Sequence, residues 1–117
     1  MTDAASRLSA EDQKLVTLAK ATRARTTAAE GAAVRDLDGR TYAAATVALP
    51  SLSVSALGVC VAMAVASGSR GLEAAVLLTE AGEVGEADLA ALRDFAGVGV
   101  RVYVGDPRGT VGSTSTT

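Results

Sequence analysis

The pattern of apolar and polar positions divides the chain into a short series of alternating elements. Ser9-Ala10-Glu11-Asp12 reads as a helix start, a hydroxyl cap with a carboxylate three residues on. The spacing predicts a helix over 10–25 with Leu15, Val16, Leu18 and Ala19 on its apolar face and Thr22 next on it. Lys14, Lys20, Arg23 and Arg25 lie toward its C-terminal half, where the helix dipole favours cations. Ala32-Ala33-Val34-Arg35-Asp36 and Thr41-Tyr42-Ala43-Ala44 then flank Leu37-Asp38-Gly39-Arg40. Asp-Gly between two such runs marks a hairpin, because glycine tolerates the positive φ of the turn, and strands are expected over 30–36 and 40–48.

Pro50 and Ser51 open a second helix, predicted over 53–66. Its residues are apolar on every side: Val54, Leu57, Cys60, Val61, Ala64 and Val65, but also Ala56, Val59, Ala62 and Met63. Such a helix needs cover all round, which here means a sheet on one side and a second subunit on the other. Gly68 is its natural C-cap, with Gly71 closing the turn. Leu72 to Thr79 is a near-continuous apolar run, the mark of a central strand covered on both faces. A loop over 80–85 leads to a third helix over 86–96, with Leu89, Leu92 and Phe95 on one face. Val98, Val100, Val102 and Val104 then alternate with Gly99, Arg101 and Tyr103, as in a strand with one buried face. The order α–β–β–α–β–α–β predicts a small mixed sheet with helices on both faces. Residues 1–8 are expected to be a disordered N-terminus, 9–105 a single domain, and 106–117 a flexible C-terminal tail.

Composition narrows the chemistry. The 117 residues suit one domain, and 49% hydrophobic with 21% charged residues is ordinary for a globular chain. The core has only two tyrosines and one phenylalanine, so Ala, Val and Leu must build it. That leaves little buried area per residue and favours oligomerisation. The net charge of −2, with no basic cluster, speaks against nucleic acid as a partner. With no histidine, Ser-His-Asp and Cys-His catalysis and histidine metal ligation are excluded. Cys60 stands alone, so no disulfide or cysteine-cluster metal site can form, and in mid-helix it reads as a small hydrophobe. The N-terminus has no apolar signal core, which makes the cytoplasm the expected compartment. The uncharged stretch 41–69 is long enough to span a bilayer, but it is alanine-rich, contains four Ser/Thr among 46–55 and is broken by Pro50. A buried strand followed by a buried helix accounts for it better than a membrane span.

The helix, the Gly-Ala-Ala strand start, the Asp-Gly hairpin and the buried helix ending in Ser-Gly together resemble the small homo-oligomeric cytidine deaminases over about residues 10–105. Glu30-Gly31-Ala32-Ala33 matches the end of that family's first-strand pattern, and Asp38-Gly39 through Tyr42 its hairpin turn. The resemblance implies a three-layer α/β/α fold with a small mixed sheet and an antiparallel β1–β2 hairpin. It also implies a dimer or tetramer.

The family's chemistry is missing from the matching positions. Zinc deaminases hold the metal with a His or Cys in a His/Cys-Ala-Glu motif and two cysteines in Pro-Cys-x-x-Cys, the Glu moving protons. Counting back from Gly68 puts Ser55-Ala56-Leu57 on the first motif. Counting back from Phe95 puts Val84-Gly85-Glu86-Ala87-Asp88 on the second. The ligand positions are thus Ser55, Gly85 and Asp88, the proton shuttle is Leu57, and the stacking phenylalanine falls near Ala28. Thr46-Val47-Ala48-Leu49 replaces the family's Asn-x-Glu-Asn.

No catalytic residue, metal or cofactor is expected, and the chain reads as a pseudoenzyme acting through protein contacts. Its partners would be further copies of itself and an unidentified protein. Val54, Val59 and Met63 are the candidate oligomer interface. One alternative is a small-molecule or nucleoside-binding protein with a remodelled pocket lined by Ala28, Leu49 and Leu57. Another is an enzyme of different chemistry built on Asp88, Glu86 or arginines. Against these, Glu86 and Asp88 suit the dipole of the third helix, and Ser51, Ser53 and Ser55 suit capping with no base to activate them. Gly97-Val98-Gly99-Val100 precedes a strand and is no phosphate loop.

Overall fold

A computed structural model describes residues 8–117. Helix α1 spans Ala10–Thr26, and the Ser9 hydroxyl caps it by accepting from the Asp12 amide at 3.0 Å. Strands β1 (Gly31–Asp36) and β2 (Thr41–Ala45) form the Asp-Gly hairpin. A second, two-stranded hairpin follows, β3 (Val47–Leu49) and β4 (Leu52–Val54), before α2 (Ala56–Ala66). Strand β5 (Leu72–Leu78), α3 (Glu86–Ala96), β6 (Arg101–Gly105) and β7 (Val111–Thr116) complete the chain. The main sheet runs β2-β1-β5-β6-β7, with β5 and β6 parallel and the other neighbours antiparallel.

Strand alternation sorts the side chains into two layers. Ala32 and Val34 of β1, Ala75 and Leu77 of β5, and Val102 and Val104 of β6 pack with Leu57, Cys60 and Leu92 of α2 and α3. Ala33, Ala74, Val76, Leu78 and Tyr103 pack with Leu15, Val16 and Ala19 of α1 on the opposite face. The result is the three-layer α/β/α arrangement expected from the sequence.

Five expectations are corrected. The strand predicted over 40–48 stops at Ala45, and Pro50-Ser51 turn a hairpin instead of opening a helix. The second helix starts three residues later than predicted, at Ala56. It is not buried all round in one chain: only Ala56, Leu57, Cys60 and Ala64 are buried, and Val65 is 54% exposed. The stretch expected as a flexible tail forms β7, with Arg101 opposite Thr116. The turn before it is organised by Asp106, whose Oδ1 accepts from the amides of Arg108 and Thr110 at 2.9 and 3.1 Å, with Gly109 at φ +93°. Of the expected disordered N-terminus, residues 1–7 lie outside the described residues, while Leu8 packs on the α1 layer. Among the described residues no helix is long and apolar enough to cross a membrane.

Helix α2 has only eleven residues, so its ends matter. At the C-terminus Gly68 takes φ +83°, its amide bonds the Val65 carbonyl (3.0 Å) and the Ser69 amide bonds the Ala64 carbonyl (3.0 Å), a Schellman closure. Ser69 then donates to Asp36 Oδ2 at 2.5 Å. Asp36 is fully buried and also accepts from the amides of Asp38 and Arg40 (both 2.9 Å) and from Tyr42 Oη (3.3 Å). One carboxylate therefore ties the β1–β2 turn to the end of α2. On the other face Asp12 accepts from Tyr103 Oη (2.7 Å) and Arg35 Nη2 (2.8 Å), pinning α1 to β6 and β1. Burial, and then that hydrogen bond to Asp12, push the Tyr103 phenol above its ordinary pKa.

Helix α1 lies so close to β1 that Gly31 has no room for a side chain. A Cβ there would run into the Ala19 carbonyl oxygen and come within 2.7 Å of Arg23 Cβ. Gly31→Ala should destabilise by about 1–3 kcal/mol in chemical denaturation, the usual cost of overpacking. Gly112→Ala is the matched control, exposed in β7 with nothing within 4 Å of an added Cβ, and should stay within about 0.5 kcal/mol of the parent.

Hydrogen bonds to the charged carboxylate, from Ser69 first, hold Asp36 below the usual carboxylate range. A lowered folded-state pKa gives stability that is present above the unfolded value, about 4, and lost as pH falls through the folded one. Thermal unfolding from pH 7 down to pH 3 should show this acid loss. Asp36→Asn should be less stable at pH 7 and show a shallower acid limb.

Candidate functional site

The N-termini of α2 and α3 meet on one side of the sheet. Ser55, in extended backbone at φ −66°, ψ 157°, is the N-cap of α2, and its Oγ accepts from the Gly58 amide at 3.0 Å. The same hydroxyl donates to Asp88 Oδ1 at 2.6 Å. Asp88 sits in the first turn of α3, whose N-cap, Gly85, offers no side chain. Two positive helix ends thus converge on one carboxylate, and a serine hydroxyl bridges them. Glu86 shares that turn, is exposed and lies outside the hydrogen bond.

Behind this bridge the surroundings are dry. Leu57 is fully buried with Val84, Leu92 and Val100 in the core layer under α2 and α3. Cys60 is also fully buried, its Sγ 3.6 Å from the Tyr42 carbonyl oxygen, and burial pushes its thiol up to about 12. A thiol so far above neutral pH supplies no nucleophile or metal ligand. Among the described residues no three His, Cys, Asp or Glu side chains come together as a metal-binding group. A hydroxyl, a carboxylate and a glycine do not make the three or four convergent ligands that zinc requires.

The structure brings together Ser55 and Asp88, with Gly85 at the adjoining helix end, and places Leu57 in the core below. Ala28 is half-buried in the α1–β1 connection, its amide bonded to the Arg23 carbonyl at 3.3 Å. The pocket expected from Ala28, Leu49 and Leu57 does not assemble, since Leu57 is fully buried and Leu49 stands 60% exposed on the β3–β4 hairpin. Val54, Val59 and Met63 are half-buried, and the last two pack on their own core. The apolar side chains most open on this part of the chain are Leu49, Leu52 and Val65. Two surface hollows, of about 930 and 260 Å3, lie elsewhere, and Arg23, Thr79 and Glu80 line both. None of these three stood out in the sequence; only the position of Arg23 in the last turn of a helix drew notice.

Comparison with known proteins agrees with the fold. The family model described as "Cytidine deaminase-like" matches residues 8–109. The crystal structure of cytidine deaminase from Burkholderia pseudomallei is similar, at TM-score 0.74 and 22% identity, over 88% of this chain and 90% of that one. That of cytidine deaminase from Mycobacterium leprae gives TM-score 0.69 and 20% identity over the same shares. No curated protein matches.

The helix-end arrangement makes a quantitative prediction. Ser55→Ala removes the cap and the bridge and should cost about 1 kcal/mol in chemical denaturation. The combined variant Ser55→Cys, Gly85→Cys, Asp88→Cys should bind one zinc per chain by metal analysis while the parent binds none. Failure of the triple variant to take up zinc would mean that the three positions do not converge.

Proposed function

Because this chain belongs to the cytidine deaminase-like family, yet carries Ser55, Gly85, Asp88 and Leu57 at its helix ends, we propose that it is a non-catalytic member of that family that works as a homo-oligomeric protein-interaction module. The observation that carries this reading is the Ser55–Asp88 hydrogen bond backed by fully buried Leu57. Deamination of a cytosine ring needs an activated water and a group that moves its proton. A serine–aspartate pair with no metal-binding partners does not generate hydroxide at neutral pH. Leu57 offers neither a proton nor an acceptor. The remaining candidate base, Asp88, is already engaged by the Ser55 hydroxyl.

The oligomer reading is supported by the apolar surface around α2. Leu52 and Val65 are each 54% exposed, Leu49 more so, and the half-buried Val54, Val59 and Met63 belong to the same β3–β4 hairpin and α2. Exposed aliphatic groups on consecutive elements, in a chain with so few aromatics, suit a surface that another copy covers. A nucleoside pocket on Ala28, Leu49 and Leu57 has no geometric support.

Purified protein should contain no stoichiometric zinc and should leave cytidine unconverted in an ultraviolet assay. Light scattering should give a dimer or tetramer, which the pair Leu49→Asp, Leu52→Asp should shift toward monomer. Bound zinc together with turnover would overturn the non-catalytic reading, and a monomeric parent would overturn the oligomer reading.

A further inference from the structure

The end of the sheet where β5 and β6 finish holds chemistry that the helix-end bridge does not use. These parallel strands finish side by side, Leu78 opposite Gly105, and the Thr79 amide bonds the Gly105 carbonyl at 2.9 Å. The segments that follow, from Thr79 and from Asp106, are the two lips of the hollow of about 930 Å3. The last turn of α1 closes a third side through Arg23, which also borders the hollow of about 260 Å3. A volume near 930 Å3 is in the range that small-molecule sites occupy. Ser55, Leu57, Gly85 and Asp88 line neither hollow.

Arg23 is the unusual group. Its Nε is buried with no hydrogen-bond partner. A buried donor left unpaired is costly, and a guanidinium donor more so than a neutral one. Arg108 lines the larger hollow from the β6–β7 turn. Among the described residues the ion pairs involve only Arg35, so neither Arg23 nor Arg108 has a carboxylate within 4.0 Å. The stem of Lys20 packs beside the same turn, its Cδ 3.3 Å from where a Cβ on Gly109 would lie.

Carboxylates stand nearby, but two of the three are partly engaged. Asp106 Oδ1 holds its own turn, and Glu30 Oε2 accepts from the Thr79 hydroxyl at 2.5 Å. Glu80 is exposed and in no ion pair; at the rim it repels an extended polyanion while leaving room for one compact charge. Thr110 and Ser113 contribute hydroxyls to the lining.

We propose that this hollow binds a small molecule through a single oxyanion, a phosphate ester or a carboxylate, gripped by Arg23 with Arg108 as the second cation. The planar fork of Arg23 suits two oxygens of such a group. The site stands independently of the non-catalytic reading, because it shares no residue with the helix ends.

The test is thermal unfolding of the full chain, titrated with inorganic phosphate or acetate at constant ionic strength. Excluded anions also stabilise proteins generally, so the decisive quantity is the shift that depends on Arg23. The parent should show a saturable rise of several degrees with at least one of the two anions. Arg23→Gln should abolish it, Arg108→Gln should weaken it, and Arg70→Gln, exposed and outside the hollow, should keep it. Saturation by phosphate alone identifies a phosphate ester as the ligand class, and saturation by acetate alone a carboxylate. If Arg23→Gln does not fold, Arg23→Lys, which keeps the charge and loses the fork, must lower the affinity at least tenfold by titration calorimetry. Equal shifts in the parent and the Arg23 variant, or no shift with either anion, would overturn the proposal.

Discussion

Strand β5 is the constraint on which the architecture turns. Every residue of it except Glu73 is buried, and from Ala74 onward they feed alternately into the layer under α1 and the layer under α2 and α3. It also pairs in both directions, antiparallel with β1 and parallel with β6. A one-residue slip would exchange the two layers wholesale, so the register is strongly specified. The core it organises is made of small aliphatic residues, which lets elements approach closely, as α1 does over Gly31. Such a core has little aromatic bulk to lock elements in place. Buried carboxylates take over part of that work, Asp36 under one turn and Asp12 beneath α1, each with several donors.

The helix-end site can be understood from the same frame. A deaminase-like scaffold aims two helix N-termini at one point, and a positive end attracts whatever anion is at hand. Here the anion is an internal one, Asp88, and Ser55 completes the junction. The scaffold is thus kept together by a short hydrogen bond between its helices, with an aliphatic side chain sealing the space beneath.

Much of this was legible in the sequence, for reasons that can be traced to residues. The central strand announced itself as an unbroken apolar run, the first hairpin through Asp38-Gly39, and the third helix through its carboxylates and its Leu89, Leu92 and Phe95 face. The spacing put Ser55 and Asp88 on two ligand positions but gave no sign that their side chains bond each other at 2.6 Å. Strand β7 was invisible because Gly-Ser-Thr-Ser-Thr has no apolar alternation; its position comes from the Asp106 turn and the ladder to β6. The β3–β4 hairpin was hidden because Pro50-Ser51 reads equally as a helix start or a turn. The capping box was half right, since Ser9 caps α1 while the Asp12 carboxylate goes to Tyr103 and Arg35. Arg23 could not have been singled out, because its significance lies in where one nitrogen ends up after α1 packs on Gly31.

The burial of Leu57 has a consequence for redesign. A carboxylate placed at that one position would sit among the aliphatic side chains of Val84, Leu92 and Val100, where a charge is costly. A thiol at Ser55 alone would give up the hydroxyl bond that joins the two helix ends. A metal centre with its proton-moving group therefore has to be engineered into this scaffold as a set of simultaneous changes, not one residue at a time.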